Sequence, residues 1–232
     1  MEETRSEQCK RLYAEAVPNA LEELAVDALF DVYPAANATS NALFVPNEVR
    51  FGGGHVRRGM LEKRVGDAVV KVGGLVEPQF TYRLTAAGLR VETSYYSLFR
   101  LKEIVFTISS VSDEYMQPRF ARFRKDFEAG RIPKAAIPFA FVEEKVPAPA
   151  PDAAAWFVLK HGKEPFDSTV PQFAHMTAID QGGKIVWYRN LFLSQFERVQ
   201  WWVGQREVDI KDDPALVTLK IYLRRLRNKR GA

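Results

Sequence analysis

Cysteine is nearly absent from this chain of 232 residues, which contains a single one, Cys9. One cysteine cannot form an intramolecular disulfide framework or a zinc site built from cysteine ligands. Long apolar runs are also missing, since none approaches the roughly 18 residues of a membrane-spanning helix. The N-terminus has two acidic residues directly after Met1, which does not fit a secretory signal. These absences predict a cytoplasmic protein that does not enter a membrane.

Histidines are few and scattered, at His55, His161 and His175. Such spacing provides no zinc-ligand cluster. His175 lies in the string Phe-Ala-His-Met-Thr-Ala-Ile, which resembles the motif of two-histidine phosphoesterases, where paired histidines act as acid and base. The resemblance implies a phosphoesterase that uses His175. Such enzymes need a second copy of the motif, and the sequence around His55 or His161 does not supply it.

Acidic residues are missing from the end of the chain after Asp213, although the whole chain carries only +4, from 33 basic and 29 acidic residues. Three of the four tryptophans fall in one short stretch, residues 185–203, before this basic tail. Aromatic faces beside guanidinium groups are typical of surfaces that hold exposed bases and phosphates. The residues expected to bind DNA or RNA are Arg189, Trp201, Trp202, Arg224, Arg225 and Arg227.

The residue pattern predicts an α+β fold in which N-terminal helices precede an antiparallel meander. Helical spacing predicts one helix from Thr4 to about Val17 and a second that starts at Pro18 and ends at Tyr33-Pro34. Short apolar segments then predict strands, with Gly52 to Gly54 as a hairpin loop. The expected strands are Leu43 to Phe51, Ala68 to Val72, Gln79 to Leu84, Leu89 to Tyr95 and Ile104 to Ser109.

Five prolines between residues 132 and 151 predict an extended linker. It separates a domain at 1–131 from a small mixed-sheet domain at 152–232, whose tail is a basic helix or strand. Strands are expected at Ala154 to Leu159, Lys184 to Arg189 and Arg198 to Val203. For Phe166 to Ile179 the pattern fits either a short capped helix or a strand.

Several short strings lie between residues 166 and 220: Phe166-Asp-Ser, Phe173-Ala174, Asp180, Val186-Trp-Tyr-Arg-Asn190, Phe196, Gln200 and Trp201. Together they resemble the restriction-nuclease-like region that follows the helicase motor in type III restriction enzymes and related DEAD/DEAH proteins. The resemblance implies a magnesium site with Asp209 as metal ligand, and Asp209 and Lys220 as catalytic residues. Thr218 stands where that family has an acid, so we expect the cleavage chemistry to be degraded.

Two classes of function therefore remain open beside the phosphoesterase. The first is a nucleic-acid-associated protein with a degraded, nuclease-like C-terminal domain. The second is a structural or assembly subunit of a phage particle or defence complex, because aromatic and arginine side chains are also enriched where protein partners meet.

Overall fold

The computed structural model describes residues 3–84, 90–116, 153–163, 169–179 and 184–207. Within these residues, three N-terminal helices precede six strands and two short helices. The elements are α1 (Arg5–Ala16), α2 (Asn19–Leu43), α3 (Pro46–Lys71), β1 (Leu75–Leu84), β2 (Arg90–Leu101), β3 (Ile104–Val111), β4 (Ala155–Lys163), β5 (Pro171–Ile179), β6 (Ile185–Asn190), α4 (Leu191–Ser194) and α5 (Phe196–Glu207). The expected α+β class is confirmed.

The six strands form one sheet in the order β1-β2-β3-β4-β5-β6. Strands β1 to β3 are the expected antiparallel meander, and β4 to β6 form a second antiparallel set. Between the two sets, β3 and β4 pair in parallel, from Ile104 opposite Ala155 to Val111 opposite Gly162. Described residues on both sides of the expected linker therefore share one sheet, while residues 132–151 lie outside the described residues.

One face of the sheet packs against the helices and forms the main core. Phe99, Phe106 and Phe157 from the strands are buried there together with Leu29 and Phe30 from α2. The other face carries a smaller buried cluster of Leu98, Val105, Trp156 and Val158. Strand residues alternate between these faces because successive side chains of a strand point in opposite directions.

Helix α1 confirms its prediction, and α2 corrects one. Thr4 caps α1 in a capping box with Glu7. Helix α2 does not end at Tyr33-Pro34, because it continues to Leu43 with Pro34 inside. An interior proline costs about 3 kcal/mol, but Ala36 and Ser40 are buried on its C-terminal side, so the helix keeps a packed face beyond that proline.

Helix α3 replaces two expected strands, Leu43 to Phe51 and Ala68 to Val72, and the expected hairpin loop between them. Pro46 stands at its first turn, a position that suits proline. The glycines at 52–54 lie inside α3, and Gly52 lies where α3 passes close to the end of α2. A Cβ at Gly52 would lie 2.6 Å from the Phe44 ring, so a side chain there would require that ring to move.

Strand predictions succeed more often in the second half. Strands β4 and β6 lie where strands are expected, and Pro171–Ile179 is a strand, so the helical alternative for these residues is wrong. Pro171 is the first residue of β5, where a missing N–H is tolerated. Phe166 to Ser168 lie outside the described residues.

Candidate functional site

The aromatic segment after β6 is helical, so the strand expected at Arg198 to Val203 is wrong. Asn190 ends β6 and caps α4, since its Oδ1 accepts a hydrogen bond from the Leu193 N–H at 3.0 Å. In α5, Phe196, Val199 and Val203 recur at steps of three and four and are buried. That helical period fixes the orientation of the tryptophans beside them.

Trp201 and Trp202 differ in exposure because adjacent helical residues point about 100° apart. Trp202 packs inward, parallel to Phe30 at 5.8 Å between ring centroids. Its Nε1–H donates to Oδ1 of Asp27 at 2.7 Å. Trp201 lies at the boundary of the helix layer and is 50% exposed. The helix therefore packs the partly buried Trp202 against the core and leaves Trp201 half exposed to solvent.

Arg198 connects Trp201 to α2. Its Nε and Nη2 donate to the two carboxylate oxygens of Asp27 at 2.7 and 2.6 Å. The same guanidinium lies over the Trp201 ring, with Cζ 5.4 Å from the centroid. The hydrogen bonds to Asp27 raise the pKa of Arg198. The helical spacing brings residues 198, 201 and 202 together, because side chains three and four positions apart are neighbours.

Arg189 of β6 binds a second carboxylate of α2, that of Glu22. Its Nε lies 2.5 Å from Oε1 of Glu22, whose side chain is buried. Tyr13 Oη, Ser194 Oγ and Gln195 Nε2 also donate to this carboxylate, at 3.0, 2.8 and 3.1 Å. Burial and the neighbouring Glu22 raise the pKa of Tyr13. Glu22 thus connects α1, α2, β6 and α4.

Three of the expected binding residues can now be located, and two acids were missed. Arg189 and Trp202 both bind carboxylates of α2, and Trp201 remains half exposed beside them. Asp209, Lys220, Arg224, Arg225 and Arg227 lie outside the described residues. Glu22 and Asp27 carry no local sequence signal for this role, because they lie more than 160 residues from their arginines.

His175 lies on the face of the sheet that the helices do not cover, with Lys160 as its cross-strand neighbour. Its Nε2 is buried without a hydrogen-bond partner among the residues that the structure describes, 3.9 Å from Oε2 of Glu114. Burial, and then the charge of Lys160, lower the pKa of His175 to about 4. Lys160 donates to the backbone carbonyls of Glu114 and Met116, which ties the end of β3 to this face.

His161 points to the opposite face from His175. Its Nδ1 lies 2.8 Å from the Tyr33 hydroxyl. Burial, followed by the nearby Arg57, lowers the pKa of His161 to about 3. His161 and His175 therefore do not form the acid and base pair of a two-histidine phosphoesterase. His55 lies elsewhere, on α3, where it lines a cleft between that helix and the sheet.

The cleft of about 700 Å³ lies between α3 and strands β1 and β2. Its polar wall is Glu62, which is buried and accepts hydrogen bonds from Arg58 Nε at 2.7 Å and Ser97 Oγ at 3.0 Å. Its apolar wall contains Val70 and Val76. Val70, Val76 and the adjacent Leu75 are exposed apolar side chains.

Among the described residues, no group of three or more histidine, cysteine, aspartate or glutamate side chains could hold a metal ion. The magnesium site at Asp209 stays a prediction, because that residue is not among them. Within the same ranges, each helix is too short or too polar to cross a membrane. No family model, curated protein or solved structure matches this chain.

Proposed function

We propose that this chain is a cytoplasmic nucleic-acid-binding protein. It holds an unpaired stretch of DNA or RNA at the edge of the sheet, where β6 and the helix α5 lie. The observation that carries the proposal is Trp201, which is half exposed while the Arg198 guanidinium packs against its ring. An indole fixed at a surface offers a face on which any unpaired base can stack, worth about 1–3 kcal/mol per base.

The surface on which a base stacks and the positive charge that attracts phosphates belong to two different parts of the chain. Arg189 and Arg198 are paired with Glu22 and Asp27, so they add little net positive charge. The tail after Asp213 contains six basic residues and no acid, and we assign the attraction for phosphates to its cations, among them Arg224, Arg225 and Arg227. Asp209, Lys220 and Mg²⁺ form the degraded cleavage site of this proposal, weakened by Thr218.

Trp201→Ala tests the stacking surface. We expect a loss of about 5- to 150-fold in affinity for single-stranded DNA or RNA, the equivalent of one stacked base. The measurement is fluorescence anisotropy with labelled single-stranded and duplex oligonucleotides. Tyr115→Ala is the matched control, because Tyr115 is also an exposed aromatic residue. Equal binding by the Trp201→Ala variant and the unmodified protein would contradict the proposal.

The tail and the metal site are tested in the same assay at about 50 and 200 mM salt. Replacing Arg224, Arg225 and Arg227 by glutamine is expected to reduce the slope of log affinity against log salt concentration by about 2, because each lost contact with a single-strand phosphate lowers the slope by roughly 0.7. With Mg²⁺ present, product sizes should show little or no cleavage. Efficient cleavage that Asp209→Asn abolishes would show that the chemistry is intact, contrary to the degraded site.

A second candidate function is that of an assembly subunit, as in a phage particle or defence complex. The specific observation in its favour is the α3 cleft, where Val70, Leu75 and Val76 are exposed beside open space. Apolar side chains that gather at one exposed position are typical of surfaces that protein partners cover. This function needs a protein partner and no nucleic acid.

Light scattering after nuclease treatment separates the two functions. An assembly subunit is expected to give a defined oligomer that persists without nucleic acid and that Val70→Glu dissociates. Leu43→Glu is the control, because Leu43 is a similarly exposed apolar residue at the C-terminal end of α2. A monomer at every protein concentration, with undiminished oligonucleotide binding, would exclude homo-oligomeric assembly and favour the first function.

A further inference from the structure

Arg198 is the cation that packs on the exposed indole, and a phosphate contact would be its simplest role. The hydrogen bonds of Arg198 indicate a different role. Both oxygens of Asp27 accept from the guanidinium, at 2.7 and 2.6 Å, in the bidentate arrangement that fits a carboxylate. The positive charge is therefore neutralised within the protein, and the guanidinium is held in one plane.

Asp27 holds a second side chain of α5. Its Oδ1 also accepts from Trp202 Nε1 at 2.7 Å, and Trp202 lies flat on Phe30. The side chains at 198 and 202 are thus fixed one helical turn apart by a single carboxylate. Trp201 lies between them, with the guanidinium over its ring and the Trp202 ring at 79° and 5.0 Å.

We infer that Arg198 is a positioning residue: Asp27 clamps its guanidinium against Trp201, so that the indole presents one face to a single unpaired base while Arg198 itself contacts no phosphate. The inference rests on the proposed function. It specifies the ligand of this surface as the planar face of one base, which makes recognition independent of sequence, since every base has such a face.

Two substitutions of Arg198 distinguish a positioning role from a phosphate contact. Lysine keeps the charge but lacks the planar fork that binds a carboxylate bidentately and stacks on a ring. We expect Arg198→Ala and Arg198→Lys to weaken oligonucleotide binding equally, by a few-fold, with the salt slope unchanged. A slope reduced by about 0.7 in Arg198→Ala and restored in Arg198→Lys would overturn the inference, and so would unchanged affinity in both variants.

The clamp itself is tested without nucleic acid. In protein labelled with 5-fluorotryptophan, the Trp201 ¹⁹F resonance is assigned through Trp201→Phe. We expect Asp27→Asn and Arg198→Lys to shift and narrow that resonance as the ring gains freedom, and Asp27→Asn to bind oligonucleotides as weakly as Arg198→Ala. An unchanged resonance or unmodified affinity in Asp27→Asn would refute the clamp.

Failure of this inference differs from failure of the proposed function. If Trp201→Ala binds as tightly as the unmodified protein, the proposed function fails and the inference falls with it. If Trp201→Ala weakens binding while the Asp27 and Arg198 variants bind normally, the stacking surface stands and only the positioning role is lost. Circular dichroism confirms that each variant is folded at the temperature of the assay.

Discussion

Replacing Arg189 with methionine would remove the counter-ion of a carboxylate that has almost no access to water. The Glu22 side chain is 3% exposed, whereas that of Arg189 is 44% exposed. Tyr13, Ser194 and Gln195 donate hydrogen bonds to the same carboxylate. In Arg189→Met these three neutral donors remain, but the buried negative charge loses its cation.

The magnitude follows from which partner is left behind. Breaking a buried ion pair so that a charge stays uncompensated costs about 3–5 kcal/mol, and the three remaining donors place Arg189→Met near 3 kcal/mol. Glu22→Gln leaves the arginine instead, which can turn into solvent, so we expect about 1–2 kcal/mol from weakened hydrogen bonds. The double variant should lose no more stability than Glu22→Gln alone, which corresponds to a coupling free energy of about 3 kcal/mol between positions 22 and 189.

The assay is urea unfolding of the four proteins, followed by circular dichroism at neutral pH. Arg64→Met, at an exposed position of α3, is the control and is expected to change stability by no more than about 0.5 kcal/mol. A cost below about 1 kcal/mol for Arg189→Met would refute the reasoning. Arg189 would then be a surface cation that is available to phosphates, as its place in the sequence suggests.

Two further predictions concern α3 and the buried histidine. Gly52→Ala should destabilise the protein by about 1–3 kcal/mol because its Cβ would overlap the Phe44 ring. A Cβ at Gly54 would have no atom within 4 Å, so Gly54→Ala should stabilise the protein by about 0.5–1 kcal/mol. Equal melting temperatures for the two variants would contradict the close contact between α2 and α3. The pKa of His161 is about 3 in the fold and about 6.5 when unfolded, so its contribution to stability is present above pH 6.5 and is lost as pH falls towards 3. As pH falls from about 7.5 to 5, the free energy of unfolding, measured in urea, should decrease by about 2 kcal/mol less in His161→Gln than in the unmodified protein. Equal decreases would show that His161 takes up its proton normally.

Local patterns predicted the parts of the fold that depend on local physics. Helix α1 has its cap and period within one segment, and strands β1 to β4 and β6 each contain a short apolar segment. The errors lie where a distant contact outweighs a local preference. Glycine disfavours a helix by about 1 kcal/mol per residue, yet the glycines at 52–54 lie inside α3, and at Gly52 the contact with Phe44 leaves little room for a side chain.

The tryptophan pair shows the same limit at the candidate site. Aromatic and β-branched residues favour strands, and on a strand Trp201 and Trp202 would point to opposite faces. The buried positions Phe196, Val199 and Val203 carry a helical period that could have revealed α5. The period does not reveal Asp27, because a carboxylate 171 residues away in sequence is brought to Arg198 only by the packing of α5 on α2.

The pairing of charges determines how binding should respond to salt. Glu22 and Asp27 neutralise Arg189 and Arg198 at hydrogen-bond distance, and such pairs have little effect beyond a screening length of about 10 Å. Stacking on an indole is a contact interaction and releases few counterions. If Trp201 provides the stacking surface and the tail provides the attraction, Trp201→Ala lowers affinity by the same factor at every salt concentration, whereas loss of the tail cations changes the slope.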